Sequence, residues 1–387
     1  MKRFALATAL FAAGCASDPP PAPPPLVTYD AAPVRARDLE TAMREGVAFM
    51  LRTQRPKGYW GTGCWFAGWD HVEMDPGSPE AFKVATTGLC CMALREYGTP
   101  EAVEAARRGE DWLATGGARL RRQHDWEIYN IWGHGYALQA LAFAYGRETA
   151  PARRELLRKG ADAQIDLLRR YQTAYGGWNY YDFVAGTQTP AMSPTSFGTS
   201  AALVGLREAK DAGLAVDELM IKRAVRVVEK SRVPNGAYTY DFDPLSINAY
   251  HNKPKGSLGR SQACNEALLA WGSPKVDVAK AKTFYDTLIK EHRFIECGRK
   301  RQWPHEAFYA TAPYYYYFGH YYAARLLARF PAPERAAAAR ELLPFILPHQ
   351  EEDGSWWDYA MRDYHKPYGT AYAVLILLRC REAMRAP

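Results

Sequence analysis

Three stretches of this chain share one pattern: Gln54-Arg-Pro-Lys-Gly-Tyr-Trp60, Gln172-Thr-Ala-Tyr-Gly-Gly-Trp178 and Gln350-Glu-Glu-Asp-Gly-Ser-Trp356. A weaker copy, Pro234-Asn-Gly-Ala-Tyr238, lies between the second and the third. The intervals between the copies fit a period of about 59 residues, with two further copies degenerated beyond recognition. A fixed period of this size indicates stacked supersecondary units.

An apolar helix follows each copy after a variable loop, and six such helices begin alike. Their starts are Thr86-Thr87-Gly88-Leu89, Gly133-His134-Gly135-Tyr136, Gly198-Thr199-Ser200-Ala201, Gly259-Arg260-Ser261-Gln262, Gly319-His320-Tyr321-Tyr322 and Gly369-Thr370-Ala371-Tyr372. These helices are apolar nearly all round, which is typical of an inner layer. The helices between them are amphipathic, with Leu39, Met43 and Val47 at helical spacing. The sequence therefore predicts an all-α fold, a single (α/α)6 toroid of six helical hairpins over residues 37–387.

The first 36 residues precede this predicted ring. Lys2-Arg3 and the apolar residues 4–13 are typical of a signal peptide over residues 1–14. Gly14-Cys15 resembles a bacterial lipobox, so we expect Cys15 to be lipidated. Residues 15–36 include a proline-rich run and read as an extended tether. We expect an exported bacterial lipoprotein, anchored through Cys15 at the periplasmic or outer-membrane face.

The amino-acid composition indicates which kinds of partner and environment to expect. The chain has 387 residues, 48% of them hydrophobic and 24% charged, which is too polar for a membrane-embedded protein. The net charge is +7, but the basic clusters do not alternate with aromatic residues, so we expect no nucleic-acid partner. The chain also has 25 tyrosines and 11 tryptophans, and this content predicts an aromatic lining somewhere in the fold. The oligomeric state and the redox state of the remaining cysteines stay open.

The Gln-x-x-x-Gly-x-Trp pattern resembles the QW motif of squalene-hopene cyclases and, more widely, the prenyltransferase/squalene oxidase repeat of terpenoid cyclases and protein prenyltransferases. The resemblance extends over roughly residues 38–385 and implies the α/α toroid of that family. It also implies a structural role, in which glutamines cap helix backbone groups and tryptophans stack between repeats. The residues concerned are Gln54, Trp60, Gln172, Trp178, Gln350 and Trp356. We call these three segments the QW turns.

The catalytic residues of that family do not carry over. Cyclases protonate their substrate with a DxDD segment, and the nearest string here, Asp241-Phe-Asp243-Pro, lacks the adjacent pair of aspartates. Protein prenyltransferases hold zinc with Asp, Cys and His in their last repeats. The corresponding helix here starts Tyr368-Gly-Thr-Ala-Tyr372 and has neither Cys nor His at its start. We therefore predict no metal and no cofactor.

Candidate site residues come from aligning the six helix starts. The alignment predicts a ring of polar side chains at the central cavity, where helix N-termini favour anionic or oxygen-rich ligands and a neutral histidine can act as a base. The catalytic candidates are His134, His320, Arg260 and Tyr317. The aromatic run 314–322 suits a polyisoprenoid chain or stacked sugar rings. The candidate ligand-binding residues are Thr87, Tyr136, Thr199, Tyr316, Tyr321 and Thr370.

Three functions stay open at this point, and catalysis itself is uncertain. The first is a toroid that binds or transforms an isoprenoid or lipid-like ligand without the usual acid or zinc. The second is a carbohydrate-active toroid of the polysaccharide lyase type, in which His134, His320, Arg260 and Tyr317 converge on a glycan. The third is a non-catalytic scaffold tethered to a membrane. A closed aromatic pocket would favour the first, an open polar cleft the second and a plugged centre the third.

Overall fold

A computed structural model describes residues 36–61, 78–120, 130–179, 190–191, 193–242, 249–361 and 363–385. Throughout these ranges the regular secondary structure is helical, apart from isolated bridges between Thr195 and Asp241 and between Arg232 and Tyr238. The predicted all-α class is thereby confirmed. The predicted signal peptide, Cys15 and nearly all of the tether lie outside the described residues. No helix within those ranges has both the length and the apolar composition needed to cross a membrane.

Outer and inner helices alternate along the described part of the chain. In chain order the α-helices are α1 (Ala36–Thr53), α2 (Ser78–Tyr97), α3 (Pro100–Gly116), α4 (Asn130–Tyr145), α5 (Pro151–Tyr171), α6 (Ser196–Asp211), α7 (Glu218–Ser231), α8 (Leu258–Ala270), α9 (Val278–Lys290), the short α10 (Arg293–Glu296), α11 (Tyr315–Leu326), α12 (Ala332–Leu342) and α13 (His365–Arg385). The outer layer consists of α1, α3, α5, α7, α9 and α12, and the inner layer of α2, α4, α6, α8, α11 and α13.

Local sequence explains where the outer helices begin. The Thr99 side chain caps α3 and Pro100 follows at its first position. The Asp217 carboxylate accepts hydrogen bonds from Leu219 and Met220 at the start of α7. Asp277 caps α9 in the same way. These outer helices are amphipathic, because one face packs on the inner layer and the other meets solvent.

The inner helices form a closed ring. Each packs on the next along the chain, and α13 returns to pack on α2. The joint between the last and the first unit uses a QW turn, in which the Gln350 Nε2 donates to the Ala42 carbonyl of α1 over 3.0 Å. The sequence alone left the closure of the ring open, and this contact between α1 and the last QW turn completes it.

The three QW turns repeat one set of hydrogen bonds to the outer helices. Each glutamine Nε2 donates to a carbonyl of the next outer helix: Gln54 to Ala105 at 2.8 Å, Gln172 to Met220 at 2.8 Å and Gln350 to Ala42. Each tryptophan Nε1 donates to the last turn of the preceding outer segment, at the carbonyls of Met50, Leu168 and Ile346. Each QW turn therefore joins two consecutive outer segments.

A threonine of the inner layer completes each QW turn. The hydroxyl oxygens of Thr87, Thr199 and Thr370 accept the backbone N–H of Trp60, Trp178 and Trp356 at 3.2, 2.9 and 3.0 Å, respectively. The glycine of the motif is required as well. Gly176 has a φ of +106°, and a Cβ there would lie 2.8 Å from the Arg223 carbonyl oxygen. The recurring Gln, Gly and Trp are thus explained by the joints between units.

The centre of the ring is filled at the C-terminal ends of the inner helices. Gln139 of α4 donates to Glu208 of α6 and to the Tyr321 hydroxyl of α11, both at 3.0 Å. Arg325 of α11 pairs with Glu208 at 2.7 Å, and Arg329 pairs with Glu266 of α8 at 2.6 Å. Because α4 and α11 are not neighbours in the ring, the bond between them crosses its centre. This network closes one end of the toroid.

Candidate functional site

A pocket occupies the opposite end of the ring axis, among the N-terminal halves of the inner helices. Its volume is about 120 Å³. Fourteen of the described residues line it; ten of these are aromatic, and none of the fourteen carries a charge. The lining comprises Phe82, Ala85, Thr86, Leu89, Trp132, Tyr136, Phe197, Tyr314, Tyr315, Phe318, Tyr359, Met361, Tyr368 and Tyr372. The predicted aromatic lining is therefore present at the ring centre.

The aromatic rings of the pocket wall pack on one another edge to face. Phe197 meets Tyr315 with ring centroids 5.5 Å apart and an interplanar angle of 88°. Trp132 meets Phe318 at 5.8 Å and 81°, and it stacks on Tyr136 at 6.0 Å. Such contacts hold each ring in place, so the wall offers a ligand preformed aromatic surface.

Two phenols form the inner end of the pocket. Tyr372 of α13 donates a hydrogen bond to the Tyr136 hydroxyl of α4 across the ring. Burial raises the pKa of both phenols well above the ordinary value, so both are neutral. Tyr372 also packs on Tyr321, which belongs to the polar network at the other end of the ring. Described residues therefore close the pocket at its inner end.

One buried carboxylate lies directly behind the pocket wall. Asp358 accepts the Tyr368 hydroxyl at 2.6 Å and the Tyr317 backbone N–H at 3.1 Å. It has no exposed surface, and this burial raises its pKa to about 6. Tyr368 and Tyr359 both line the pocket, so a single hydrogen bond separates the carboxylate from the lining.

The two candidate histidines turn away from this pocket. His134 Nδ1 lies 2.7 Å from Gln164 Oε1 of the outer helix α5, and its ring stacks on Tyr171. His320 Nε2 lies 3.1 Å from His292 Nε2, just before α10. Burial lowers the pKa of both His134 and His320 to about 4, so both are neutral near pH 7.

The other two catalytic candidates also have partners away from the pocket. One terminal nitrogen of Arg260 donates to the His251 carbonyl at 2.6 Å, and its guanidinium lies 5.6 Å from the centre of the Tyr240 ring. Tyr317 is fully buried and offers its backbone N–H to Asp358. The convergence of these side chains with His134 and His320 on one point is not seen in the described part of the chain.

The six candidate ligand-binding residues lie in four different places. Tyr136 lines the pocket, and Tyr321 lies just beneath it. Tyr316 points to the outer layer, where its hydroxyl donates to the Phe345 carbonyl at 2.7 Å. The remaining three, whose hydroxyls are bonded in the QW turns, are Thr87, Thr199 and Thr370. The three threonines were expected at the central cavity, and the structure places their hydroxyls in the QW turns instead. A role of the candidate residues in binding or catalysis stays a prediction.

Helix rotation explains the difference. Each residue advances about 100° around an α-helix, so a step of two residues points about 200° away, to the opposite face. The residues two positions before the aligned polar ones are Ala85, Trp132, Phe197, Leu258, Phe318 and Tyr368, and all but Leu258 line the pocket. The alignment of the six starts identifies the ring, but the pocket lies on the other face of each helix.

Several solved structures share this fold. A type II terpene cyclase from Scytonema, in complex with its substrate geranylgeranyl dihydroxybenzoate, aligns with a TM-score of 0.53 and 14% identity over 90% of this chain and 98% of its own. Cellobiose 2-epimerase from Spirochaeta thermophila aligns with a TM-score of 0.56 and 14% identity over 90% and 98% of the two chains. A D-mannose isomerase aligns with a TM-score of 0.57 and 14% identity over 91% and 98%.

Sequence comparison adds no relative. No protein-family model matches the chain, and no curated protein matches it. At 14% identity the structural likenesses show the fold alone: the chain is an α/α toroid of the kind found in terpene cyclases and in several carbohydrate-active enzymes.

Proposed function

We propose that this toroid binds an isoprenoid or similarly lipid-like ligand in its central aromatic pocket. The observation that carries the proposal is the lining formed by the described residues, in which ten of fourteen are aromatic and none of the fourteen is charged. Removing apolar surface from water contributes about 25 cal/mol per Å². A pocket with such walls therefore favours a hydrophobic ligand.

A terpene cyclase with a geranylgeranyl substrate has the same fold, which supports this choice of ligand class. Any transformation of the ligand here would proceed without a DxDD acid. Within the described ranges, no group of three or more His, Cys, Asp or Glu residues is placed to hold a metal ion. The proposal is that the pocket binds the ligand; it does not require that the ligand is transformed.

The carbohydrate alternative has a specific point in its favour, because a cellobiose epimerase and a mannose isomerase share the fold. Sugar recognition, however, needs several polar groups directed at the ligand. The pocket phenols Tyr372 and Tyr368 already donate to Tyr136 and Asp358, respectively. The scaffold alternative expects a plugged centre, whereas here only one end of the ring is filled. The pocket therefore favours the lipid-like ligand.

Export and a lipid anchor at Cys15 belong to the same proposal, because a tethered toroid would hold its pocket near a source of lipids. The test is mass spectrometry of the full chain from cells that process bacterial lipoproteins. We expect cleavage before Cys15 and a diacylglyceryl mass on that residue, both lost in Cys15→Ser. An unprocessed amino terminus would contradict the anchor.

Ligand identity is tested by mass spectrometry of organic extracts from the purified full chain. Ala85 lines the pocket, so Ala85→Phe should fill it, whereas Ala279→Phe places the same ring at an exposed position of α9. We expect an isoprenoid or lipid in extracts of the wild type and of Ala279→Phe, and its loss from Ala85→Phe. Equal retention by Ala85→Phe would place the ligand elsewhere and overturn the proposal.

A further inference from the structure

Asp358 is a buried carboxylate that has no counter-charge among the described residues. Among the described residues, no lysine, arginine or histidine side chain forms an ion pair with it, and its recorded partners are the Tyr368 hydroxyl and backbone N–H groups. Buried carboxylates in proteins are normally paired with a cation or bound to a metal. A buried carboxylate that is bonded to a phenol and to backbone N–H groups, with no cation among the described residues, therefore needs an explanation.

Two cations of the segment that contacts the Asp358 backbone are engaged elsewhere. Arg299 pairs with Glu296 at 2.6 Å, and Lys300 pairs with Glu351 at 2.5 Å. Only the Lys300 backbone N–H reaches Asp358, and it donates to the main-chain carbonyl rather than to the carboxylate. Both cations therefore pair with other acids and not with the Asp358 carboxylate.

The aromatic pocket lies beside Asp358. Tyr368 joins the carboxylate to the lining through a 2.6 Å hydrogen bond, and the following residue, Tyr359, lines the pocket itself. Aromatic faces carry negative partial charge and attract cations, most strongly where water is excluded. The wall and the carboxylate behind it therefore both favour a cation, in contrast to the anionic ligand that the helix N-termini alone would predict.

We propose that the central pocket recognises a positively charged group on its ligand, of the tertiary or quaternary ammonium class, with the aromatic wall as its contact surface and Asp358 as its counter-charge. This inference rests on the proposed function, because it names the chemistry of the ligand in the same pocket. Asp358 acts through Tyr368 as a positioning and charge-balancing residue, and the groups that touch the ligand are the aromatic rings. A lipid-like ligand with an ammonium group meets both requirements.

The test compares two probes of nearly equal shape that differ in charge. Choline carries a trimethylammonium group, and 3,3-dimethylbutan-1-ol is its neutral counterpart. Calorimetric titration of the full chain with each gives a ratio of affinities, and titration with farnesol reports separately on hydrophobic binding. We expect choline to bind about tenfold more tightly than the neutral alcohol, as desolvated cation–π contacts beside a carboxylate predict.

Two variants then test whether the preference for choline over the neutral alcohol depends on the Asp358 carboxylate. Asp358→Asn removes the charge at nearly constant shape, and we expect the affinity ratio to fall close to one. Asp363→Asn is the matched control, because Asp363 is a partly exposed aspartate that pairs with Arg55. We expect it to keep the wild-type ratio. Thermal melting of both variants checks folding.

The outcomes separate the two proposals. A wild-type ratio near one with saturable farnesol binding would overturn the cation inference and leave the lipid proposal standing. Saturation by none of the three probes would overturn both. A preference that survives in Asp358→Asn would overturn the role of Asp358. The wild-type ratio needs no variant, so the inference stays testable even if Asp358→Asn fails to fold.

Discussion

The QW turns and the central pocket use aromatic residues in opposite ways. In the QW turns, Trp60, Trp178 and Trp356 have no exposed surface, and each donates its indole N–H to a defined carbonyl. In the pocket, Trp132 and its neighbours line a cavity of about 120 Å³. The first arrangement stabilises the ring, whereas the second leaves room for a ligand.

This difference in the use of aromatic residues explains why the QW turns share a sequence motif and the pocket wall does not. A QW turn needs a glutamine that reaches a fixed carbonyl, a glycine at positive φ and an indole N–H, so few residues satisfy it. The pocket wall needs only large flat side chains, and Phe, Tyr and Trp serve in turn at Phe197, Tyr368 and Trp132. Changes in the QW turns should therefore affect stability, and changes in the pocket should affect binding.

The largest loss of stability is expected for Trp178→Ala. The substitution leaves a cavity at a fully buried joint and removes the hydrogen bond to Leu168, so unfolding should cost about 3–5 kcal/mol less. Chemical denaturation followed by circular dichroism measures the change. Trp303, which is 45% exposed, supplies the control, and Trp303→Ala should change stability by about 0.5 kcal/mol or less. Similar losses of stability in Trp178→Ala and Trp303→Ala would contradict the structural role of the QW-turn tryptophan.

The next effect is the pH dependence that His134 confers. Its pKa is about 4 in the folded chain and near 6.5 when exposed, so the folded state binds fewer protons between these values. The contribution of His134 to the free energy of unfolding is fully present above about pH 6.5. It falls by about 3 kcal/mol as the pH drops to 4. His134→Gln cannot titrate, so the difference in stability between wild type and variant should change across this window. Parallel pH profiles would show that His134 is not buried as described.

A smaller loss is expected for Thr199→Val, which keeps the shape of the side chain and removes the hydroxyl. The Trp178 backbone N–H would then lose the acceptor that lies at 2.9 Å, at a cost of about 1–3 kcal/mol. Thr115→Val is the control, because the exposed Thr115 hydroxyl only bonds within its own helix. Equal midpoints of denaturation for the two variants would contradict the role of Thr199 in the QW turn.

Much of the fold follows from the sequence. The period, the three QW turns and the apolar helices predict six hairpins, and the structure has them in the expected order. Closure of the ring could not be predicted, because it depends on a contact between Gln350 and Ala42, at opposite ends of the chain. Nothing in the local pattern around either residue reports that contact.

Less of the candidate site was predictable. Aromatic composition indicates a lining, and Tyr136 was identified, but the aligned polar positions lie on the face opposite the pocket. One signal was available: Thr87, Thr199 and Thr370 occur where the QW turn is complete, and His134, Arg260 and His320 occur where it is degenerate. That correlation ties these positions to the joints between units. The importance of Asp358 could not be predicted, because it depends on burial and on partners that only the folded chain reveals.

The central claim is that the aromatic pocket binds a lipid-like ligand, and titration of farnesol tests it most directly. The three chains to compare by calorimetry are the wild type, Ala85→Phe and Ala279→Phe, with thermal melting to confirm that all three are folded. The account predicts saturable binding to the wild type and to Ala279→Phe, with an affinity at least about tenfold lower for Ala85→Phe, because a phenyl ring then occupies the pocket. Equal affinities in all three folded chains would contradict it.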